Sequence, residues 1–195
     1  MDALVVRKLA VVRGDRTILR DLSFEVRPGE ALHICGRNGA GKTSLLEALA
    51  GMRRIPEGAI EGAPAAERMH YLGVRNALSP VLSPLQNLEF WCGLNGVDRA
   101  GVVDALKVFA VSGTRHRPCR ALSNGQRRRV AMARLLLAPR DWWLLDEPLN
   151  ALDRNGAELF VHFLSAHLRG GGGAVIASHQ DLPSAVNGLR RLELA

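Results

Sequence analysis

The sequence predicts an α/β fold whose core is a mostly parallel sheet, with an N-terminal antiparallel β layer and a helical subdomain at about residues 84–140. Strand-like and helix-like segments alternate along most of the chain, which is the pattern of βαβ units. Several strand-like segments are continuously apolar, as in strands that helices cover on both faces. The chain opens instead with two strand-like segments in succession, which predicts the antiparallel layer. We expect a single domain over residues 1–195.

Short apolar runs between turn residues mark the predicted strands. The first two strands are joined by the turn RGDR, and the last is an edge strand in the C-terminal tail. In chain order the predicted strands are ALVVRKLAVV, TILRDLSFEV, PGEALHICG, HYLGV, DWWLLDE, GAVIASH and LRRLELA.

Glycine marks the ends of two of the predicted helices. The first helix ends at Gly51, and the glycine run 170–173 ends the last helix and turns the chain into a strand. In chain order the predicted helices are KTSLLEALAGM, SPLQNLEFWCGL, DRAGVVDALKVFAV, NGQRRRVAMARLLLA and RNGAELFVHFLSAHLR.

The composition is that of an ordinary folded protein, with 47% hydrophobic and 23% charged residues. No segment approaches about 18 consecutive apolar residues, so we expect no membrane-spanning helix. The N-terminus lacks the charged start and apolar stretch of a signal peptide. Because Cys35, Cys92 and Cys119 have no metal-ligand spacing, we expect them to be buried or idle thiols in a reducing compartment.

The chain carries a formal net charge of +7, almost all of its positive charge being arginine. Such a charge is compatible with binding to nucleic acid, with a position against an anionic membrane surface, or with a compositional preference for arginine. The arginines are spread from Arg7 to Arg191 with one run at 127–129, and aromatic residues make up only 5% of the chain. We therefore expect no nucleic acid as a partner and favour membrane proximity or composition.

A glycine-rich segment between a predicted strand and a predicted helix matches the phosphate-binding loop, or P-loop, G-x-x-x-x-G-K-[ST]. Glycines let backbone N–H groups approach phosphate oxygens, and the following helix N-terminus adds about half a positive charge. We expect Lys42 to reach the β and γ phosphates of ATP, and the Thr43 hydroxyl to ligate Mg²⁺. A chance glycine-rich turn is the alternative. The expected nucleotide-binding residues are Gly36, Arg37, Asn38, Gly39, Ala40, Gly41, Lys42 and Thr43.

Two acids, Asp146 and Glu147, follow the apolar run WWLL. If this strand lies beside the P-loop strand, its carboxyl end faces the phosphates. Asp146 would then hold Mg²⁺, and Glu147 would polarise the attacking water as a general base. A strand that simply ends at the surface is the alternative, and it would be preferred in a chain without the P-loop.

Three further segments indicate which class of ATPase the chain resembles. LSNGQ at 122–126 precedes a predicted helix, NALD at 150–153 follows the acids, and Ser178 and His179 end a predicted strand. With the P-loop and the acids, in this order and with these spacings, they resemble the motifs of the ATP-binding subunits of ABC transporters. LSNGQ is similar to the signature LSGGQ of that family, and the resemblance covers the whole chain. It implies a P-loop NTPase fold of the ABC ATPase type.

The resemblance also implies roles for individual residues. In that family the signature contacts the γ-phosphate that the P-loop of a second subunit holds, so Ser123 and Gly125 would bind the ATP of a second copy of this chain. A homodimer is therefore implied. His179 would sense the γ-phosphate and act as a catalytic residue with Lys42 and Glu147, while Asp153 would join the two sites.

The sequence departs from the family pattern at three positions. Asn124 replaces the first glycine of the signature. Arg75 stands where the family usually has a glutamine that touches Mg²⁺, and a guanidinium group cannot ligate a metal. Arg13 stands where an aromatic residue usually stacks on adenine, and a guanidinium group can also stack on a base.

The segment YLGVRNALSPVLSPLQNLEFW, with LDEPLNALD and ASHQ, most resembles the ATP-binding subunits of the cytochrome c maturation complex, or haem exporter ATPases. This resemblance implies that ATP hydrolysis is coupled to integral membrane subunits, which would dock near residues 75–95. It also implies a peripheral position on the cytoplasmic face of the bacterial inner membrane. Haem export and haem-chaperone release both stay open. So do another ABC exporter, a slow-turnover ATP-dependent assembly scaffold, and a soluble ABC ATPase that acts on nucleic acid.

Overall fold

A computed structural model of the protein describes residues 2–182 and 186–194. Over these ranges the strands are β1 (Leu4–Arg13), β2 (Arg16–Val26), β3 (Ala31–Gly36), β4 (Glu57–Glu61), β5 (Met69–Leu72), β6 (Trp142–Asp146), β7 (Gly173–Ala177) and β8 (Leu189–Leu194). The helices are α1 (Lys42–Leu49), α2 (Pro84–Asn95), α3 (Val102–Val108), α4 (Asn124–Met132), α5 (Arg134–Leu137) and α6 (Arg154–Arg169). Short 3₁₀ turns lie at Ala66–Arg68, Ser112–Thr114 and Cys119–Ala121.

A parallel sheet carries the core. Among the described residues its strand order is β5-β6-β7-β3-β8, and all four neighbouring pairs run parallel. β6 and β7 are buried along their whole length, as expected for strands that are covered on both faces. The predicted fold class is therefore confirmed. Because parallel strands end at the same edge, β3, β6 and β7 bring the residues that follow them together.

The antiparallel layer has the strand order β2-β1-β4 over the described residues. Its first two strands were predicted, but β4 was not, because the polar, mostly exposed sequence EGAIE lacks the apolar pattern of a strand. Gly58 lets β4 approach β1 closely. Its φ is +89°, and a Cβ at this position would lie 2.5 Å from the carbonyl oxygen of Arg7.

Two helices differ from the prediction. The single helix expected over NGQRRRVAMARLLLA is divided into α4 and α5, which meet at Ala133. There the N–H of Leu136 donates to the carbonyl of Ala133, the tighter three-residue pattern, at 3.1 Å. α3 is shorter than expected, because Ala110 adopts a left-handed φ of 56° soon after its last residue.

The described chain divides into two compact units. The first holds both sheets and comprises the chain up to Gly73, Arg140–Pro148 and the chain from Val161. The second comprises Val74–Pro139 and Leu149–Phe160. The three cysteines expected to be buried are buried and carry free thiols, and none of the described helices is long and apolar enough to cross a membrane. The expectation of a single ATP-binding domain over residues 1–195 stays a prediction.

Candidate active site

Glycines shape the loop that joins β3 to α1. Gly36, Gly39 and Gly41 have φ angles of 141°, 89° and 97°. A Cβ at Gly36 would lie 2.6 Å from the carbonyl oxygen of Leu194, and a Cβ at Gly41 would lie 2.7 Å from the side chain of Ile18. Since other residues are excluded at these positions, the chain can curl tightly into the N-terminus of α1. That arrangement is the one that binds phosphate groups.

Lys42 begins α1 and directs its ammonium group into this loop. Its Nζ donates to the carbonyl oxygens of Gly36 at 2.7 Å and of Arg37 at 3.1 Å. Lys42 is 7% exposed, so its charge needs these acceptors. Phosphate oxygens would be stronger acceptors for the same donors. The other two predicted loop residues, Asn38 and Ala40, lie between the glycines.

Thr43 and Asp146 are 103 positions apart in the sequence and meet at the edge of the parallel sheet. The Thr43 hydroxyl donates to Oδ2 of Asp146 at 2.7 Å. Asp146 ends β6 and is 1% exposed. Hydroxyl and carboxylate oxygens are the ligands that Mg²⁺ prefers. This pair therefore fits the magnesium site that the sequence predicts.

Glu147 is fixed by the residues at the end of β7. Its φ of 48° is uncommon for a residue other than glycine, and its N–H donates to the carbonyl of Ala177 at 2.7 Å. Its carboxylate accepts from the backbone N–H of His179 at 3.1 Å and from the Ser178 hydroxyl at 3.3 Å. Nδ1 of the His179 ring lies 2.9 Å from Oε2 of Glu147. The carboxylate and the imidazole therefore form one hydrogen-bonded group.

The two members of this group differ in their access to solvent. The His179 side chain is 49% exposed, whereas that of Glu147 is 11% exposed. An imidazole that is half exposed can meet a ligand arriving from solvent while it stays bonded to the acid. The arrangement suits a general base that is oriented by a neighbouring group.

Sequence reasoning noted Ser178 only as the neighbour of His179 and missed Tyr71. Ser178 is 1% exposed, and its hydroxyl bonds to Glu147. Burial, and secondarily the charge of Asp146, raise the pKa of Tyr71 to about 12, so its hydroxyl keeps its proton near that acid. The position of Ser178 directly before His179 was the available signal. No feature of the sequence pointed to Tyr71, because it is a single aromatic residue in a short strand.

The segment Leu122–Gln126, hereafter the signature segment, opens α4 with a capping box. The Ser123 hydroxyl accepts from the N–H of Gln126 at 3.1 Å, and the Gln126 side chain accepts from the N–H of Ser123 at 3.0 Å. A cavity of about 580 Å³ lies at this helix N-terminus, where an anion is favoured. It is lined by Ala110, Val111, Ser123, Asn124, Gly125, Gln126, Arg129, Ala151 and Asp153.

Gly125 and Asp153 connect the signature segment to the chain that follows the acids. A Cβ at Gly125 would lie 2.5 Å from the carbonyl oxygen of Ala151, so only glycine fits. Asp153 accepts from the N–H of Gly156 at 2.8 Å and pairs with the guanidinium group of Arg129. These two contacts, the N–H of Gly156 first, lower the pKa of Asp153. Sequence reasoning did not assign Arg129.

The sequence-predicted residues thus form two groups. Lys42, Thr43, Asp146, Glu147 and His179 lie at the carboxyl edge of the parallel sheet, in the first unit. The residues expected to serve a second copy lie in the second unit, around the cavity at the start of α4. They are Ser123, Gly125 and Asp153.

Arg13 and Arg75, the two arginines at which the sequence departs from the family pattern, are exposed. Arg13 ends β1 and is paired with Arg16 across the hairpin. Arg75 lies in the segment that follows β5, in the second unit. Their expected contacts with a nucleotide or a partner stay predictions.

Comparisons with known proteins place these residues in a family. The model of the family described as "ABC transporter" matches residues 19–150. A cytochrome c biogenesis ATP-binding export protein, CcmA, from Rhodopseudomonas palustris strain HaA2 is 44% identical over 90% of this chain and 91% of that protein. CcmA from Paracoccus denitrificans is 43% identical over 93% of this chain and 85% of that protein.

Solved structures agree with this result. An ABC transporter ATP-binding protein from Pyrococcus furiosus superposes with a TM-score of 0.83 at 25% identity, over 98% of each chain. An ATP-binding subunit of another ABC transporter gives a TM-score of 0.80 at 20% identity over 90% of this chain and 79% of that one, which supports the fold. The resemblance drawn from the sequence motifs is confirmed: the chain belongs to the ABC transporter family, as an ATP-binding domain.

Proposed function

We propose that this chain is the ATP-hydrolysing subunit of an ABC transporter complex for cytochrome c biogenesis, which couples hydrolysis to integral membrane subunits. One observation carries the ATPase part. The P-loop, the Thr43–Asp146 pair and the Glu147–His179 pair lie at one edge of one sheet. The names of relatives that are 43% and 44% identical over at least 85% of their length support the pathway.

The first step is the binding of ATP with Mg²⁺. The curled loop and the N-terminus of α1 would hold the phosphates, and Lys42 would exchange its two carbonyl acceptors for phosphate oxygens. Thr43 and Asp146 would hold the magnesium ion, and the ion would supply charge neutralisation at the phosphates. The close approach of the Thr43 hydroxyl to the Asp146 carboxylate supports this assignment.

The second step is hydrolysis, in which a water attacks the γ-phosphorus. Glu147 would accept a proton from that water, because its carboxylate is held in place by Ser178 and the backbone of His179. His179 would contact the γ-phosphate with the exposed side of its ring, while Nδ1 stays near Glu147. The products are ADP and inorganic phosphate, and the proton is released through Glu147.

A second copy of the chain is part of the proposal. The start of α4 offers a helix N-terminus, the Ser123 hydroxyl and the Gly125 backbone beside a cavity of about 580 Å³. We assign these groups to the ATP held by the P-loop of the other copy. Asp153 lines the same cavity and would help to join the two sites.

The membrane subunits would dock on the second unit. Large apolar side chains lie exposed there, with Val81, Phe90 and Leu94 at 64%, 62% and 71%. Exposed apolar groups of this kind are typical of interaction surfaces. They fall within the expected docking segment, residues 75–95. Docking there would hold the chain against the membrane, and we propose a peripheral position on the cytoplasmic face of the inner membrane.

Complementation of a strain that lacks this gene tests the proposal. Wild type, Lys42→Ala and Glu147→Gln are compared on a haem-stained denaturing gel. The proposal predicts that covalent c-type cytochromes vanish on deletion and that only wild type restores them. Unchanged cytochromes in the deletion strain would overturn the pathway. Restoration by Glu147→Gln, with hydrolysis lost, would favour an assembly scaffold that only binds ATP.

A further inference from the structure

The three consecutive arginines Arg127–Arg129 in α4 contact three different parts of the chain. Arg127 donates to the carbonyl of Cys119 at 3.3 Å, while Arg129 pairs with Asp153. The middle arginine, Arg128, is 3% exposed and donates from Nη1 to the side-chain oxygen of Asn76 at 3.1 Å. The hydrogen bond between Arg128 and Asn76 has no part in the proposed catalytic steps.

Arg134 in α5 also hydrogen-bonds to the segment that contains Asn76. Its Nη1 donates to the carbonyl of Asn76 at 3.2 Å, and its Nη2 donates to the carbonyl of Ala77 at 2.7 Å. Burial lowers the pKa of Arg134 to about 10, so the group remains charged at neutral pH. Its Nε is buried and has no hydrogen-bond partner among the described residues. A partly buried charge with one unsatisfied N–H group is costly to maintain, which indicates that this arginine has a specific structural role.

The segment held in this way is short and exposed. It runs from Val74 to Ala77 and is hereafter called the Arg75 loop. Val74 is 56% exposed, Arg75 is exposed, and Ala77 adopts a left-handed φ of 48°. Two arginines thus make three hydrogen bonds to consecutive residues of a strained segment. Arg75, which directly precedes those residues, is exposed to solvent.

Helix α4 connects the Arg75 loop to the cavity at its own N-terminus. Its first turn carries Ser123 and Gly125 beside the cavity, and Arg128 follows within the same helix. A displacement of α4 would therefore be transmitted to Asn76 by a hydrogen bond between two side chains, one of them buried. All of these residues belong to the second unit.

We infer that Arg128 and Arg134 are positioning residues that fix the Arg75 loop to the signature helix, so that the docking surface follows the occupancy of the site at the start of α4. The inference rests on the proposed function, since it names how that surface is coupled to ATP. Arg128 acts through Asn76 and is not one of the proposed catalytic or nucleotide-binding residues. Its loss should uncouple the membrane subunits and leave hydrolysis by the chain intact.

The test uses the full chain, in the deletion strain and as purified protein. Arg128→Met removes the donors and keeps an unbranched apolar stem, and Asn76→Ala removes the acceptor. We expect each change to lower haem-stained cytochromes about fivefold or more, while the kcat and KM of ATP hydrolysis by the purified chain stay within about twofold of wild type. Arg128→Lys, which keeps one donor, should restore most of the cytochromes.

The double variant and a control separate coupling from folding. If the two residues act through one bond, Arg128→Met with Asn76→Ala should be no worse than either change alone. Arg154→Met, which removes an exposed arginine paired with Glu158 on its own helix, should behave as wild type. Should Arg128→Met fail to accumulate, Asn76→Ala tests the same hydrogen bond from its acceptor side, at a residue that is only partly buried.

The outcomes that overturn the inference differ from those that overturn the proposed function. Wild-type cytochrome levels in Arg128→Met, a parallel loss of hydrolysis, or a double variant far worse than both single changes would each overturn the inference. A wild-type gene that restores no cytochromes, or a wild-type chain that hydrolyses no ATP, would overturn the proposed function instead.

Discussion

Nδ1 of His179 lies 2.9 Å from Oε2 of Glu147, so the imidazole after β7 is bonded to the acid after β6. The pairing depends on the parallel order of β6 and β7, which sets Asp146 opposite Ala177 at the ends of the two strands. Backbone pairing therefore places a base and its orienting group side by side. Neither residue could be assigned from its own neighbourhood in the sequence, where one is an acid before a proline and the other a lone histidine.

Glu147→Gln should abolish hydrolysis and keep ATP binding. The amide is similar in shape but cannot accept the proton of the attacking water, so kcat should fall about 10²- to 10⁴-fold. Steady-state phosphate release measures the loss, and size-exclusion chromatography with ATP should show a dimer that wild type does not accumulate. A kcat within tenfold of wild type would exclude Glu147 as the base. Glu158→Gln, an exposed acid of α6 paired with Arg154, is the matched control and should be neutral.

His179→Ala should lower kcat with a smaller effect on nucleotide affinity. The change removes the ring that lies against Glu147 and leaves the backbone N–H that also bonds to that acid. We expect a loss of about 10²-fold in kcat, since misplacing a catalytic group has an effect of this size. Fluorescent ATP analogues measure affinity in the same preparations. His162→Ala, on α6, should leave both quantities unchanged, and an equal loss there would point to a general effect on folding.

The sequence was sufficient for the parts of the site that are contiguous. The spacing of Gly36, Lys42 and Thr43 predicted the loop, because a P-loop needs glycines, lysine and a hydroxyl at fixed positions. The apolar run before Asp146 predicted the strand that brings the acid to the same edge. These elements are local, so periodicity and turn residues report them.

Contacts between residues far apart in the chain, and strands of polar sequence, could not be predicted from the sequence. Arg128 and Asn76 are 52 positions apart, and neither belongs to a motif that would suggest the contact. β4 was missed because its pairing with β1 uses backbone groups, while its side chains are mostly exposed. Asp153 was expected to join two copies. Within one chain it caps α6 and pairs with Arg129, contacts that resemblance to a motif does not reveal.

Gly125→Ala should damage the signature segment through sterics. The new Cβ would meet the carbonyl oxygen of Ala151 at 2.5 Å, so the chain after the acids must move. We expect a loss of about 1–3 kcal/mol in the free energy of unfolding, measured by urea denaturation, together with loss of the ATP-dependent dimer. Gly113→Ala is the control, because a Cβ there meets nothing within 4 Å. An effect as large at Gly113 would contradict the steric explanation.

Asp153→Asn should reveal a pH-dependent contribution to stability. The N–H of Gly156 and the Arg129 guanidinium lower the pKa of Asp153 below its ordinary value of 3.8, so the charged form is favoured in the folded state. The added stability is present above that ordinary value and is lost as the pH falls through the lowered folded pKa. Thermal unfolding should therefore show a lower Tm for Asp153→Asn at pH 7, and the gap should close in strong acid. A constant gap at all pH values would assign the effect to shape instead of charge.

Thr43→Val should show whether the Thr43–Asp146 pair is a magnesium site. Valine has nearly the shape of threonine but lacks the hydroxyl that lies 2.7 Å from the Asp146 carboxylate. Magnesium supplies several kcal/mol of charge stabilisation in phosphoryl transfer, so hydrolysis should fall at least about 10²-fold. Thr43→Ser keeps the hydroxyl and should retain most of the activity. In wild type, EDTA should stop hydrolysis and added Mg²⁺ should restore it, whereas Thr43→Val should need a higher Mg²⁺ concentration for half-maximal rate. If Thr43→Val and wild type share the same magnesium dependence, the hydroxyl serves only to hold Asp146, and the metal site must be sought elsewhere at the edge of the sheet.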